Sequence, residues 1–555
     1  MTLPPYHGRQ HWIYGWRGAV LATGGLAVYY MIVLAFFGSN IFIAKLHDDS
    51  LIYFAQSQLL ASSGSTQGLS YGDGLAPVTF APIAAYVRLP IFLFLRDFNA
   101  IVRVIQVQNV ILLICVALLS WRYLVLRLPT DAAPFWRFAP FFMVATCYTP
   151  WFSNAYLPLS DNIFAALTMA FIVLCLEYDR WMRSWPLQLL WGVLIIAILT
   201  IASIQKGTAM AMLAYLAVFM TSRHRFSWRQ SLAGLGTILL FVAIMVWSES
   251  RLYGYYASIA LTHSIDNRPL GLLIGNSLFN FFASALPAQI VPNFNFTFMN
   301  RSDLTLGLLL TDFQATWAPF VLLGFTISAL ILLGAWKGRR FLAPELTLIL
   351  LTAPLYALIV NGGGTIRYLA FVQPVYLLLF VTGLRTVRLQ IPSEWVVKPR
   401  AIMFSVAAIA LIGVAGVSTS IMAAPMQRIF SMRGFLSDLD RAFGAERRIV
   451  ASLANDRTRF VNIVEGNARW NAVAHVRYAA PGLVPELLCR GHEVYWVFDC
   501  DRRNCSAAKM LAKKSMDELD RLGSIRLNTI YTDHSSAAEI TIRRVTAVQP
   551  NNSCK

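Results

Sequence analysis

Apolar and polar positions alternate along this chain in blocks rather than in single residues. Long apolar runs are separated by short stretches rich in Arg, Lys and Pro. A run of about 20 apolar residues is the length a helix needs to cross a bilayer core. By that measure the chain predicts about eleven spans, near residues 17–38, 101–121, 138–151, 160–178, 187–204, 207–221, 232–249, 316–336, 345–361, 367–384 and 401–421. The first run is too long, and lacks a small-residue cleavage site, for a removable signal.

Beyond Ala423 the pattern changes. The segment 424–555 is polar and mixed, with short strand-like runs in RRIVASLA, HEVYWVFDC and EITIRRVTAV. One helical pattern, SAAKMLAKKSMDELDRLG, ends at Gly523, which reads as a C-cap. The fold class expected is a polytopic α-helical membrane protein with a small C-terminal α/β or α+β domain. Its boundaries are a membrane domain over 1–423 and a soluble domain over 424–555, long enough for its own core.

Composition agrees with the pattern. The chain is 57% hydrophobic and only 13% charged, against about 25% charged in an ordinary soluble domain. The formal net charge of +18 first suggests nucleic acid. Its placement excludes that reading, because most of the basic residues sit in short loops between apolar runs. Alternate loops hold Arg122/Arg127/Arg137, Arg180/Arg183, Arg223/Arg225/Arg229, Lys337/Arg339/Arg340 and Arg385/Arg388/Lys398/Arg400. Short basic loops stay on the cytoplasmic side. The N-terminus is then inside, and the C-terminal domain is outside the inner (plasma) membrane.

Two long loops fall on the outer side, about 39–100 and about 250–315. Loops beyond about 15 residues are usually functional or disordered. In the first, SLIYFAQSQLL and PIAAYVRLPIFLFL are too short or too interrupted to span and suit the interface plane. The second is aromatic and Asn-rich, backbone that a bilayer tolerates only against protein or a cavity. Cys115, Cys147 and Cys175 lie in apolar runs and read as small hydrophobes. Cys489, Cys500, Cys505 and Cys554 lie in the outer tail and suggest two disulfides, in any of three pairings. They lack the paired CxxC of a zinc site.

The chemistry-bearing residues gather on the outer side. Asp48 and Asp49 follow the first span, Asp161 opens the fourth, Lys206 sits in the turn between the fifth and sixth, and Arg367 opens the tenth. Ionisable groups beside apolar spans are costly and mark functional sites by default. Each also has a plain structural alternative. Asp161 suits a helix N-terminus with Ser160 as cap, Lys206 can snorkel, Arg367 can mark the interface or pair with a loop acid, and the Asp pair can be solvated. As a set, carboxylates suit proton abstraction from a hydroxyl or a divalent cation. Arg and Lys suit a phosphate.

The set resembles the GT-C glycosyltransferases that use a polyprenyl-phosphate sugar donor, among them protein O-mannosyltransferases, lipid A aminoarabinose transferases and arabinofuranosyltransferases. The resemblance covers the membrane part. It rests on Asp48-Asp49 with Tyr53, Ala76-Pro77 and Ala81-Pro82, Leu159-Ser160-Asp161, Lys206-Gly207, and Arg367-Tyr368-Leu369 with Pro374. It implies an inverting sugar transfer in which Asp48 or Asp49 is the base and the other carboxylate orients it or holds Mg or Mn. Several relatives have a basic residue before the first-loop proline pair, where this chain has Gly72-Asp73-Gly74, so phosphate binding falls to Arg88, Lys206 and Arg367. Positioning of donor and acceptor falls to His47, Tyr53, Asp161, Tyr368 and His263. The partners implied are the lipid-linked donor, the bilayer, and a glycan, lipid or protein acceptor. Two other functions compete. His263, Asp266 and Arg268 suit an O-antigen polymerase or ligase using diphosphate-linked donors. A transporter or flippase would show inverted repeats and midplane charges, and the chain has neither.

Overall fold

A computed structural model describes residues 82–127, 161–205, 207–223, 318–359, 371–390, 449–452, 472–475, 493–501, 525–533 and 538–547, with isolated shorter stretches between them. The chain divides into two compact units. One comprises Met1–Phe36, Gln106–Arg251 and Ala257–Ile421; the other comprises Phe37–Ile105, Leu252–Tyr256 and Met422–Lys555. The spans expected near 138–151 and 401–421 lie outside the described residues, as do most residues of those near 17–38 and 232–249.

The described helices are α1 (Pro82–Phe94), α2 (Phe98–Arg127), α3 (Asp161–Leu176), α4 (Tyr178–Trp181), α5 (Trp185–Gln205), α6 (Met210–Arg223), α7 (Ala318–Gly338), α8 (Ala343–Ile359) and α9 (Gln373–Gln390). A 3-10 turn, Gly207–Ala209, joins α5 to α6. Most match an expected span to within a few residues. Two differ. Helix α2 runs past both ends of its apolar stretch. Asp97 caps its start, accepting the Ala100 N–H at 2.7 Å. At its far end Arg122 and Arg127 lie on the helix rather than in a loop. Helix α9 begins at Gln373, after a 3-10 turn at 371–372, and so starts beyond Arg367. Pro374 explains the start, because the first helical turn has no use for the missing N–H.

Two of these helices, Asn99–Arg127 and Trp185–Gln205, are long and apolar enough to cross a membrane. Helix α5 shows the solvent such a helix is built for. Trp191, Ile195 and Leu199 are buried on one face, while Leu189, Val193 and Ile196 are more than half exposed on another. A helix apolar on every face suits lipid or a protein interior, not water. This is a membrane protein.

Helix directions in the first unit follow from contacts. Trp191 Nε1 donates to the Leu174 carbonyl at 2.9 Å, which sets α5 antiparallel to α3 near their connecting turn. Thr168 Oγ1 reaches Met212 Sδ at 3.6 Å, and the Phe171 and Tyr215 rings meet edge to face at 5.8 Å, which sets α6 parallel to α3. At 1.5 Å per residue, Asp161 and Gln205 both lie roughly 20 Å from the Leu174–Trp191 level, at the same end.

The opposite end is held by ion pairs. Arg122 Nε donates to Glu177 Oε1 at 2.9 Å, and Arg180 joins the same oxygen at 3.3 Å. Arg127 Nε donates to Glu345 Oε1 at 2.6 Å, with the carboxylate side chain fully buried. Tyr215 O–H donates to the same oxygen at 3.4 Å. Helices α2, α6 and α8 therefore share one buried carboxylate. Helices α7 and α9 approach through glycines. A Cβ on Gly334 would stand 1.9 Å from the Leu379 carbonyl oxygen, and one on Gly383 would stand 1.9 Å from that of Leu330. Small residues at such crossings allow the backbone contact that drives helix association in lipid.

In the second unit, Phe54 packs edge to face on Phe92 of α1 at 4.9 Å, joining the two amphipathic pieces of the first loop. The C-terminal residues form a five-stranded sheet of β1 (Ile449–Ser452), β2 (Ala472–His475), β3 (Val494–Asp501), β4 (Ile525–Asp533) and β5 (Ala538–Ala547), in the order β2-β1-β3-β5-β4. Its β2-β1-β3 side is parallel and its β3-β5-β4 side antiparallel. Val494, Tyr495, Trp496 and Phe498 of β3 are all buried, so both faces of the central strand are covered, as its unbroken apolar run implies. The helical pattern before Gly523 is described only at Asp517, which is helical. Cys115 and Cys175 are free thiols, and Cys489 is disulfide-bonded.

Two predictions test this packing. Gly383→Ala should destabilise the fold by about 2 kcal/mol or more, read as a lower thermal unfolding midpoint in detergent, because backbone rather than a pliable side chain opposes the new methyl. Glu345→Gln should cost about 3 kcal/mol by stranding Arg127. The double variant Arg127→Met/Glu345→Leu should unfold closer to wild type than Glu345→Gln does, measured the same way.

Candidate functional site

Among the described residues, the end of the first unit away from the ion pairs carries buried neutral and acidic side chains. Asp161 and Asn162 open α3, Gln205 closes α5, Thr208 lies in the 3-10 turn and Gln373 opens α9; none is more than 4% exposed. The start of α9 belongs at this end because Phe371 meets Phe164 of α3 edge to face at 4.8 Å. Four chain ends thus converge: two helix N-termini, one helix C-terminus and one turn. Helix N-termini favour negative charge through their free N–H groups, and Asp161 supplies one such charge in the first turn of α3.

The turn itself is the odd element. Helix α5 is described to Gln205 and the 3-10 turn from Gly207 to Ala209. Lys206 lies outside the described residues. The Gln205 amide is buried with neither Oε1 nor Nε2 hydrogen-bonded, and the buried Thr208 hydroxyl also has no partner among the described residues. Each such orphan costs about 1–3 kcal/mol. Unsatisfied buried groups call for an explanation, whether strain, a functional role or an ordered water.

The second unit holds two more of the residues expected from sequence. Arg88 of α1 is 1% exposed and ranks among the largest fully buried side chains described; Tyr53 is 8% exposed. Arg88 sits one helical turn before Phe92, the residue that packs on Phe54. A buried guanidinium requires anionic or carbonyl partners to offset its lost hydration. Gln56, one turn after Tyr53, is fully buried, and its amide atoms have no hydrogen bond among the described residues.

Within the first unit, then, Asp161 comes to the same end as the turn Gly207–Ala209, and Lys206 lies outside the described residues. Within the second, Tyr53 and Arg88 lie on the two packed loop pieces. His47, Asp48, Asp49, His263, Arg367 and Tyr368 lie outside the described residues. Among the described residues no group of three or more His, Cys, Asp and Glu is placed to hold a metal; the Asp48/Asp49 pair proposed for Mg or Mn is not among them. A search for ionisable residues overlooks Asn162, Gln205, Thr208 and Gln373. The available signal was a Gln and a Thr flanking Lys206-Gly207 where the apolar periodicity breaks.

No protein-family model and no curated protein matches the chain. Among solved structures it is similar to ArnT from Cupriavidus metallidurans bound to undecaprenyl phosphate, at 13% identity over 93% of this chain and 98% of that one, with a TM-score of 0.49. The apo state of the same protein aligns at 14% identity over 94% and 98%, with a TM-score of 0.46. The oligosaccharyltransferase of Archaeoglobus fulgidus, tethered to an acceptor peptide, aligns at 14% identity over 96% of this chain and 74% of that one, with a TM-score of 0.47. With TM-scores below 0.5, residue roles must come from the chain itself.

Proposed function

We propose that the protein is an integral-membrane glycosyltransferase that moves a sugar from a polyprenyl-phosphate donor to an acceptor hydroxyl at the outer face of the inner membrane. One observation carries this reading: an end where Asp161, Asn162, Gln205, Thr208 and Gln373 are buried, opposite an ion-paired end rich in Arg. A donor with an apolar tail and an anionic head suits a site where lipid-facing helices end in polar groups.

Asp48 or Asp49 takes the acceptor proton as its oxygen attacks the anomeric carbon from the face opposite the phosphate. The bond to the lipid phosphate breaks, the configuration inverts, and the phosphate leaves with the electron pair. Lys206, Arg367 and Arg88 balance the phosphate charge, Lys as a point charge and Arg through paired N–H groups. The carboxylate that is not the base orients it or holds Mg or Mn. His47, Tyr53, Asp161, Tyr368 and His263 position the donor and acceptor.

We further assign the ion-paired end to the cytoplasm, because the short basic loops attach there. The membrane domain is 1–423, and the domain over 424–555 faces outward, where the disulfide at Cys489 is stable. Cys500, Cys505 and Cys554 are the candidate partners in that domain.

The test is transfer of label from a radiolabelled polyprenyl-phosphate sugar in membranes containing the separate variants Asp48→Asn and Asp49→Asn. The base variant should lose about 100-fold or more in rate. Full activity in both variants overturns the assignment.

A further inference from the structure

We infer that the turn between α7 and α8 binds the headgroup of an anionic phospholipid, through the Arg339 guanidinium held over Trp336 and the neighbouring Lys337 and Arg340. The inference concerns the bilayer rather than the donor, and it holds whichever reaction the protein performs.

The outer face of α7 has the polarity profile of one leaflet. Ile331, Gly334 and Gly338 are buried, and a Cβ on Gly334 would meet the Leu379 backbone of α9. On the other side Ala329, Leu332 and Trp336 are exposed at spacings of three and four residues, which is one helical stripe. Leu332 is 49% and Trp336 64% exposed. The stripe is apolar up to Trp336. Lys337, Arg339 and Arg340, all exposed, then follow within about one helical turn. Apolar surface suits acyl chains, an indole suits the headgroup level, and cations suit the phosphates.

Two observations separate this turn from the other basic residues at the same end. The first is charge. Arg122, Arg127 and Arg180 are matched by Glu177 and Glu345. Lys337, Arg339 and Arg340 make no ion pair among the described residues. Glu345, close by in sequence, is buried and bonded to Arg127. The second is preorganisation. Arg339 Cζ lies 4.1 Å from the centroid of the Trp336 ring, a cation–π distance. The turn is tight, since the Phe341 and Leu342 N–H groups both donate to the Gly338 carbonyl, at 3.0 and 2.8 Å. The half-exposed Phe341 ring comes within 3.5 Å of where a Gly338 Cβ would stand. Trp336 and Phe341 thus bracket the three cations in sequence.

Topology requires only charge, which any exposed Arg or Lys supplies. A guanidinium steadied on an indole also offers paired N–H groups in a set place, which a phosphodiester accepts. A soluble acidic partner would complement the charges but leave the contiguous Leu332–Trp336 stripe without a role.

The test titrates full-length protein in mild detergent with phosphatidylglycerol and with phosphatidylcholine of the same acyl chains, counting bound lipid by native mass spectrometry. Wild type should prefer phosphatidylglycerol by about tenfold or more. Arg339→Lys and Trp336→Leu leave the charge count unchanged, and each should cut that preference about fivefold. Arg183→Lys, at an exposed arginine of the same end, should leave it unchanged. All three variants should unfold at the wild-type midpoint before lipid is added, since surface side chains contribute little to stability. The inference is overturned if wild type shows no preference, if Arg339→Lys and Trp336→Leu retain it in full, or if Arg183→Lys loses as much. Earlier unfolding in step with the lost preference assigns the pair a structural role and overturns it as well. Glycerol 3-phosphate that displaces phosphatidylglycerol as well as the lipid itself does shows a site for free anions instead.

Discussion

A single buried carboxylate organises the membrane unit. Glu345 has no exposed side-chain surface, and its Oε1 accepts from both Arg127 and Tyr215. Charge in so apolar a setting is tolerated only when paired and hydrogen-bonded. The pair is therefore a constraint before it is a source of stability. It fixes the last turn of α2 against the first turn of α8 and holds α6 beside them. It also explains why α2 extends past its apolar stretch: the helix continues until Arg127 meets its counter-charge.

That clamp gives the bundle two unlike ends. At one, arginines are matched by Glu177 and Glu345. At the other, Asp161, Gln205 and Thr208 are buried, and the Gln205 amide and Thr208 hydroxyl lack matches among the described residues. The contrast is informative because the physics is the same at both. The Arg122–Glu177 and Arg127–Glu345 pairs position helices, though Glu345 Oε2 and the Tyr123 hydroxyl at that end also lack a hydrogen bond. The glycine contact between α7 and α9 likewise positions helices, since it sets how closely backbones approach and contributes no chemistry.

The second unit follows a different rule. Its sheet is stabilised by apolar burial on both faces of β3, reinforced by the Trp496–Phe498 stack and by the Arg543 guanidinium over Trp496 at 5.5 Å. Strands β1, β3 and β5 fall where alternation and β-branched runs place them. Strand β2 was missed because Ala472–His475 is short and built of small residues. Strand β4 was missed because it lies at the sheet edge with Arg526, Asn528, Thr529 and Ile530 exposed. Edge strands need no apolar face and so leave little pattern.

The sequence alone determined what is local. Apolar length set helices α3, α5, α6, α7 and α8 to within a few residues, and the loop arginines marked one end of the bundle. Asp161 was legible as a helix-opening acid, and Lys206-Gly207 as the turn between two spans. Tertiary structure alone decided which distant residues meet. No periodicity could pair Arg127 with Glu345, set Gly383 against Leu330, or show that Gln205 and Thr208 are buried without partners. Length and periodicity are properties of one segment. Burial and hydrogen-bond satisfaction belong to several segments at once, and exist only after the chain has brought them together.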